Sequence, residues 1–252
     1  MTPRLHRPAI LGAAAALGAV LLFALPACGQ SLSVDLGEGP SSTGRIVQII
    51  ALMTVLSIAP SILVMVTSFT RIVVVLSFLR NAMGVQQTPP NAVLISLALF
   101  LTAFIMTPTL EKAYHDGIAP LMANQITEEQ AFDRSIKPVH KFMMDHVREH
   151  DLELFLNISN DPPPATPEAT PLRSLVPAFM ISELKRAFEI GFLLFIPFVI
   201  IDMVIASILM SMGMMMLPPV MISLPFKLIF FVLVDGWYLV AGSLIQSYGG
   251  TG

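Results

Sequence analysis

The chain has 252 residues, of which 55% are hydrophobic and only 12% charged. An ordinary soluble domain carries roughly a quarter charged residues, so this composition reads as a membrane protein. The formal charge of -3 at pH 7 offers no basic field to nucleic acid, and a lone cysteine, Cys28, excludes an internal disulfide and any multi-thiolate metal site.

Residues 1–30 read as a cleaved signal peptide. Arg4, His6 and Arg7 form a positive start, residues 9–25 an apolar stretch and residues 26–30 a small-residue exit. The run Leu25-Pro26-Ala27-Cys28 also resembles a lipoprotein cleavage box, which would make Cys28 a lipidated N-terminus.

Residues 45–110 form a first apolar helical hairpin. Its first tract, 46–79, contains Pro60 and Arg71, and a kink is predicted at Pro60 because proline removes a ladder donor and clashes with the preceding turn. The second, 92–107, starts after Pro89-Pro90 and is predicted to stop at Pro108. About sixteen residues is short for a span that usually needs about twenty.

Residues 111–185 are polar and hold four of the five histidines. Thr127-Glu128-Glu129-Gln130 fits a capping box. Val139, Phe142, Met143 and Val147 recur at helical spacing, predicting an amphipathic helix over about 138–156. Residues 160–177 contain six prolines and read as a stiff linker.

Residues 186–248 form a second apolar hairpin with a Met-rich turn. Tract 190–216 carries Pro197 and Asp202, and tract 224–245 carries Pro225, Lys227 and Asp235. Arg71 and Arg80 flank one short turn and Lys227 follows the other, which places both turns in the cytoplasm. Four spans then leave the polar segment on the outer, periplasmic side.

Residues 207–221 hold six of the sixteen methionines. Methionine is unbranched and polarizable, so such a cluster reads either as bundle filler or as an apolar surface able to reshape around varied contacts. His146-Val147-Arg148-Glu149-His150 matches the inverted zinc-protease signature. A catalytic zinc needs a third protein ligand, and the candidates downstream are Glu168 in the proline linker and Glu183 and Glu189 at a membrane edge; the surrounding charges make a solvated helix face the expected reading.

Glu183 and Arg186, and Arg186 and Glu189, are spaced to pair along one helix; Lys185 completes this charged stretch. Asp202 sits within an apolar tract, where a carboxylate must be neutral, partnered or wet. A raised pKa would suit proton exchange, but an interhelical pair with Arg71 or Lys227 is the favoured reading. Asp235-Gly236-Trp237 reads as an interfacial helix end. No phosphate-cradling loop, nucleophile elbow or triad is present, so an NTPase is excluded within the chain.

The runs Phe69-Thr70-Arg71-Ile72-Val73-Val74-Val75-Leu76-Ser77-Phe78-Leu79-Arg80-Asn81, Gln86-Gln87-Thr88-Pro89-Pro90-Asn91, Ser182-Glu183-Leu184-Lys185, Ile200-Ile201-Asp202, Gly213-Met214-Met215-Met216, Leu224-Pro225-Phe226-Lys227 and Val234-Asp235-Gly236-Trp237 resemble, in order, the motifs of the FliP family, the flagellar branch of the FliP/SctR export-gate subunits. The likeness covers about 45–248, is loose in the middle segment and does not include the histidine pair.

The resemblance implies an all-α membrane protein that is not an enzyme and takes no cofactor. It implies several copies of the chain winding with FliQ and FliR into a helical ring around a pore. That ring would sit in the bacterial inner membrane at the flagellar basal body, beside the export proteins FlhA and FlhB and membrane lipid. The pore would pass unfolded flagellar protein subunits, driven by the proton-motive force and a separate ATPase. It further implies that the helices pack in a cone raised above the membrane plane, with Met214, Met215 and Met216 as the pore gasket. Arg71, Glu183, Lys185, Arg186, Asp202, Lys227 and Asp235 are then structural charges between helices. The nearest alternative is the injectisome gate subunit SctR; a membrane zinc protease through His146 and His150 is a remote one.

Overall fold

Prolines punctuate every apolar tract, yet hydroxyl side chains and glycines decide where the helices break. The computed structural model describes residues 42–85, 88–159, 164–214 and 217–249; the expected signal peptide and Cys28 lie outside them. Residues up to 55 group apart from those from 56 onward, and each group is described by itself. All regular elements among the described residues are helical.

Helix α1 is Ser42–Met65 and α2 is Phe69–Ala82. The expected kink at Pro60 is not where the tract breaks: α1 runs through Pro60 and ends at Met65. At the break, Thr67 and Thr70 each donate a hydroxyl to the Val64 carbonyl at 3.4 Å, and Thr67 Oγ1 accepts the Phe69 amide. Side-chain oxygens thus replace the ladder partners that would have continued the helix.

Helix α3, Asn91–Ala113, continues through Pro108, correcting the predicted stop there. It is prolonged by a π turn, Tyr114–Ile118, and an α turn, Ala119–Met122. Across this wide turn Ser135 donates to the Ala113 carbonyl at 3.2 Å. Only a glycine fits at 117, because a Cβ there would lie 2.0 Å from Ser135 Oγ and 2.6 Å from the Ala131 carbonyl.

The polar segment folds as α4, Glu128–His146, and α5, Glu149–Ser159, instead of one helix over 138–156. Thr127 caps α4 by accepting the Gln130 amide at 3.4 Å. The joint at Val147 is extended, and the Arg148 amide bonds Ser182 Oγ at 3.0 Å rather than a carbonyl one turn back. The linker expected over 160–177 is shorter than read: it ends in a single 3-10 turn, Pro167–Ala169, and residues from Leu172 on, Pro177 included, are helical.

Helix α6, Leu172–Ser211, has 40 residues and runs through Pro177 and Pro197. At 1.5 Å per residue it is about 60 Å long, twice the roughly 30 Å hydrocarbon layer. Helices α7, Pro219–Leu233, and α8, Gly236–Gly249, meet at 62°. Asp235 occupies the left-handed residue of this bend, φ 51°; it lies at a helix end, as the sequence suggested, but α8 follows directly, so the tract 224–245 is two helices. Gly236 is required beside it, since a Cβ would lie 2.1 Å from the Phe231 ring.

Helix α6 is the spine, packed by α2, α4, α5 and α7, while α8 lies against α3 and α7. Residues Ile72, Val75, Leu76 and Leu79 supply the buried face of α2, the spacing of one helical stripe. They meet Leu94, Ala98, Ala187, Phe198, Phe231 and Leu244 in one core. A second core joins Met106, Phe142, Met143, Leu175, Phe179 and Tyr248. Gly191 lets α2 and α6 close, for a Cβ there would fall 2.6 Å from the Phe78 ring.

Among the described residues, two helical stretches are by length and composition long and apolar enough to cross a membrane, Asn91–Met122 and Leu172–Ser211, and up to four if each bent pair is one span. Large apolar side chains point outward along α6 and α7, among them Phe192 at 67%, Met203 at 66% and Leu233 at 80% exposed. Such a surface suits lipid or other chains, not water.

Candidate functional site

Three polar clusters and one Met-rich turn carry the chemistry of the described residues. The first cluster is fully buried. Arg71 on α2 and Glu183 on α6 are 1% and 0% exposed. The guanidinium grips the carboxylate through two bonds, Nη2 to Oε1 and Nε to Oε2, the latter at 2.9 Å. Its remaining nitrogen, Nη1, donates to Ser247 Oγ at 3.0 Å. Tyr248 of α8 donates its hydroxyl to Glu183 Oε2, and its ring lies 3.9 Å from Arg71 Cζ. A planar fork, a carboxylate and an aromatic face therefore join three helices, with cation–π attraction added to charge-assisted bonds.

This arrangement corrects the expected intrahelical pairing. Glu183 is committed to Arg71 and Tyr248, and Glu189 pairs with Lys185 at 3.3 Å on the exposed face. Arg186, half-buried, takes neither of these roles. Arg71 is therefore not the partner of Asp202.

The second cluster holds Asp202. Its Oδ2 accepts from Lys227 Nζ at 2.6 Å and its Oδ1 from Ser223 Oγ at 2.5 Å. Lys227, 4% exposed, also donates to the Ala82 carbonyl at 3.2 Å, the last residue of α2. One lysine thus ties α6, α7 and the end of α2.

The third cluster joins the α4–α5 joint and α5 to the first turns of α6. Arg148 bonds Asp151 through Nε at 2.7 Å and Nη2 at 2.8 Å, and Ser182 Oγ donates to Asp151 Oδ2 at 2.6 Å. The Arg148 hydrogen bond holds the Asp151 carboxyl below the usual aspartate range; burial opposes this and the Ser182 bond adds to it.

The histidine motif comes apart. His146 ends α4, the joint intervenes, and Glu149 and His150 start α5, so the motif does not lie on the single helix that the protease signature needs. His150 is exposed, but His146 is 5% exposed, against the expected solvated face. Among the described residues no group of three His, Cys, Asp or Glu is placed to hold a metal ion.

The Met-rich turn begins where α6 ends. Gly213 adopts φ 76°, and the amides of Gly213 and Met214 return to the carbonyls of Met210 and Leu209, a left-handed helix stop that glycine makes without strain. Met214 is 45% exposed; Met215 and Met216 lie outside the described residues. Pro218 and Pro219 then start α7.

Sequence reasoning missed Tyr248, Ser247, Ser223 and Ser182. Only Ser182, adjacent to Glu183 in a charged motif, carried a readable signal. The FliP family model matches residues 52–244 of the chain. The flagellar biosynthetic protein FliP of Caulobacter vibrioides is 59% identical, over 97% of this chain and 92% of its own length. The FliP of Bacillus subtilis is 55% identical, over 87% and 99%, and that of Cereibacter sphaeroides 51%, over 96% and 81%.

Breaking a buried pair leaves an uncompensated charge, which costs about 3–5 kcal/mol, whereas replacing both partners with apolar residues is often neutral. Glu183→Ala should therefore lower the unfolding midpoint of the detergent-solubilised protein sharply, and Arg71→Met with Glu183→Leu should recover most of that loss. Asp151 adds stability in full above the ordinary aspartate value of about 3.9. That stability is lost as pH falls below this value and through the lowered folded one. Melts between pH 5 and pH 2.5 should show this loss in the wild type and a shallower slope in Asp151→Asn.

Proposed function

The chain belongs to the FliP family, and from that membership we propose that it is a channel-forming subunit of the flagellar type III export gate. In this reading several copies assemble with FliQ and FliR in the inner membrane at the basal body, beside FlhA and FlhB. They pass unfolded flagellar proteins across the membrane without a cofactor and without catalysis by this chain. The proton-motive force and a separate ATPase supply the energy.

The observation that carries this reading is the Met-rich turn between α6 and α7. Met214 stands exposed directly after the Gly213 stop, and Met215 and Met216 continue the run. A pore that excludes ions while passing side chains of every kind needs a lining that is apolar yet deformable, which flexible thioethers provide. The outward apolar faces of α6 and α7 support burial against neighbouring subunits. The buried clusters support it differently: their charges are already satisfied within one chain, so they brace the subunit and leave its outer surface apolar.

Deleting the gene should abolish extracellular flagellin, and both the wild-type chain and the His146→Ala/His150→Ala variant should restore it. Normal flagellin export without the gene would move the assignment to the injectisome branch, and restoration by the wild type alone would bring back a metal site. Replacing Met214, Met215 and Met216 together by Ala should make membranes conduct small ions while export persists. Unchanged conductance would remove the gasket role.

A further inference from the structure

His146 is placed in a way that neither a metal site nor a solvated face explains. Its Nδ1 is 2.7 Å from the Phe142 carbonyl; a carbonyl only accepts, so Nδ1 carries a hydrogen. Its Nε2 is buried without a hydrogen-bond partner. In the neutral ring that atom is a bare lone pair, tolerable among the rings of Phe142 and Tyr248, centred 4.6 and 5.1 Å away. A proton on Nε2 would create a buried charge and an N–H with no acceptor, among the costliest groups a fold can hold.

The surroundings do not supply that acceptor. Arg71 of α2 lies over the same Tyr248 ring, so it and His146 are within about 9 Å of each other. Glu183 of α6 is bonded by Arg71 and by Tyr248 of α8, and Arg186 of α6 adds a further cation near that hydroxyl. On α5, Asp151 is engaged by Arg148 and Ser182, while Glu149 and His150 point to solvent; Asp145, next to His146 on α4, is exposed.

The adjacent backbone provides a way out. Val147 is extended, and the Arg148 amide bonds Ser182 instead of a carbonyl one turn back, so the last turn of α4 ends at a break in the helical ladder and can open there without α5 opening with it. We propose that His146 is a proton-operated latch: neutral, it seats the end of α4 against Tyr248; protonated, it leaves that pocket and loosens the α4–α5 segment from α6 and α8. Imidazole is the side chain whose charge changes between about pH 5 and 8. This response is separate from that of Asp151, which begins below about pH 4. It depends on the fold alone and stands whether or not the chain forms a channel.

The test is hydrogen–deuterium exchange on the full-length chain in detergent micelles at pH 7.5, 6.5 and 5.5, with rates corrected for the intrinsic pH dependence of amide exchange. Peptides covering 139–152 should lose protection severalfold, up to about tenfold, from pH 7.5 to 5.5 in the wild type and in His150→Gln, while peptides from the middle of α6 stay unchanged. His146→Gln and His146→Phe should each abolish that pH dependence. Constant wild-type protection over this range, or the same loss in both His146 variants, would overturn the latch.

Discussion

An arginine inside an apolar bundle has to be answered on every donor, and the answer given to Arg71 organises the molecule. Glu183 takes two of its bonds, Ser247 another, and Tyr248 covers the planar face. Because these partners sit on α6 and α8, meeting them fixes where both helices lie relative to α2. The same tyrosine ring reaches Phe142 and His146 of α4, so the polar segment is registered against the bundle by a residue whose first duty is electrostatic. Such a pair adds little net stability over an apolar replacement. What it imposes is a single alignment, because sliding α6 by one residue would strand both charges.

The second constraint is dimensional. An unbroken helix of 40 residues cannot lie wholly within a bilayer, and it does not need to. Its first turns, around Leu175, Phe179 and Ser182, are covered by α4 and α5, whereas beyond Phe188 it carries an open apolar stripe. A groove of about 540 Å³ runs there between Phe78, Phe192, Val199 and Met203. One helix is thus a soluble-type core element at its start and a membrane or assembly element at its end, and the Arg71–Glu183 pair marks the changeover.

Class and family were legible in the sequence because they rest on signals that survive without tertiary information. Helical apolar tracts identify the class, and ordered multi-residue motifs identify the family. The break points were less legible. Pro60 read as a kink and Pro108 as a stop, yet both lie inside helices, while Thr67 and Thr70 ended α1 through bonds that composition does not reveal. The partner of Glu183 was hidden for a different reason: Arg186 is its neighbour in sequence, and Arg71 is 112 residues away. His146 was read as solvated because its neighbours in the chain are charged, yet α4 turns that one face inward against Tyr248. Local pattern states what a residue could do along its own helix; the choice among those options was made across helices.

The Met-rich turn has a further property, which follows from how its ends are fastened. Gly213 closes α6 with two returning amides, and Pro218 and Pro219 launch α7 with preset backbone angles. Four residues, 214–217, are left between them, and at about 3.5 Å each they can span no more than roughly 14 Å. The roughly eleven turns of α6 could not supply this kind of compliance; a tether this short between stiff posts can, but only over a stroke comparable to the width of one helix. The travel of α6 relative to α7 at this end is therefore limited by the mounting of the turn and not by the softness of its side chains.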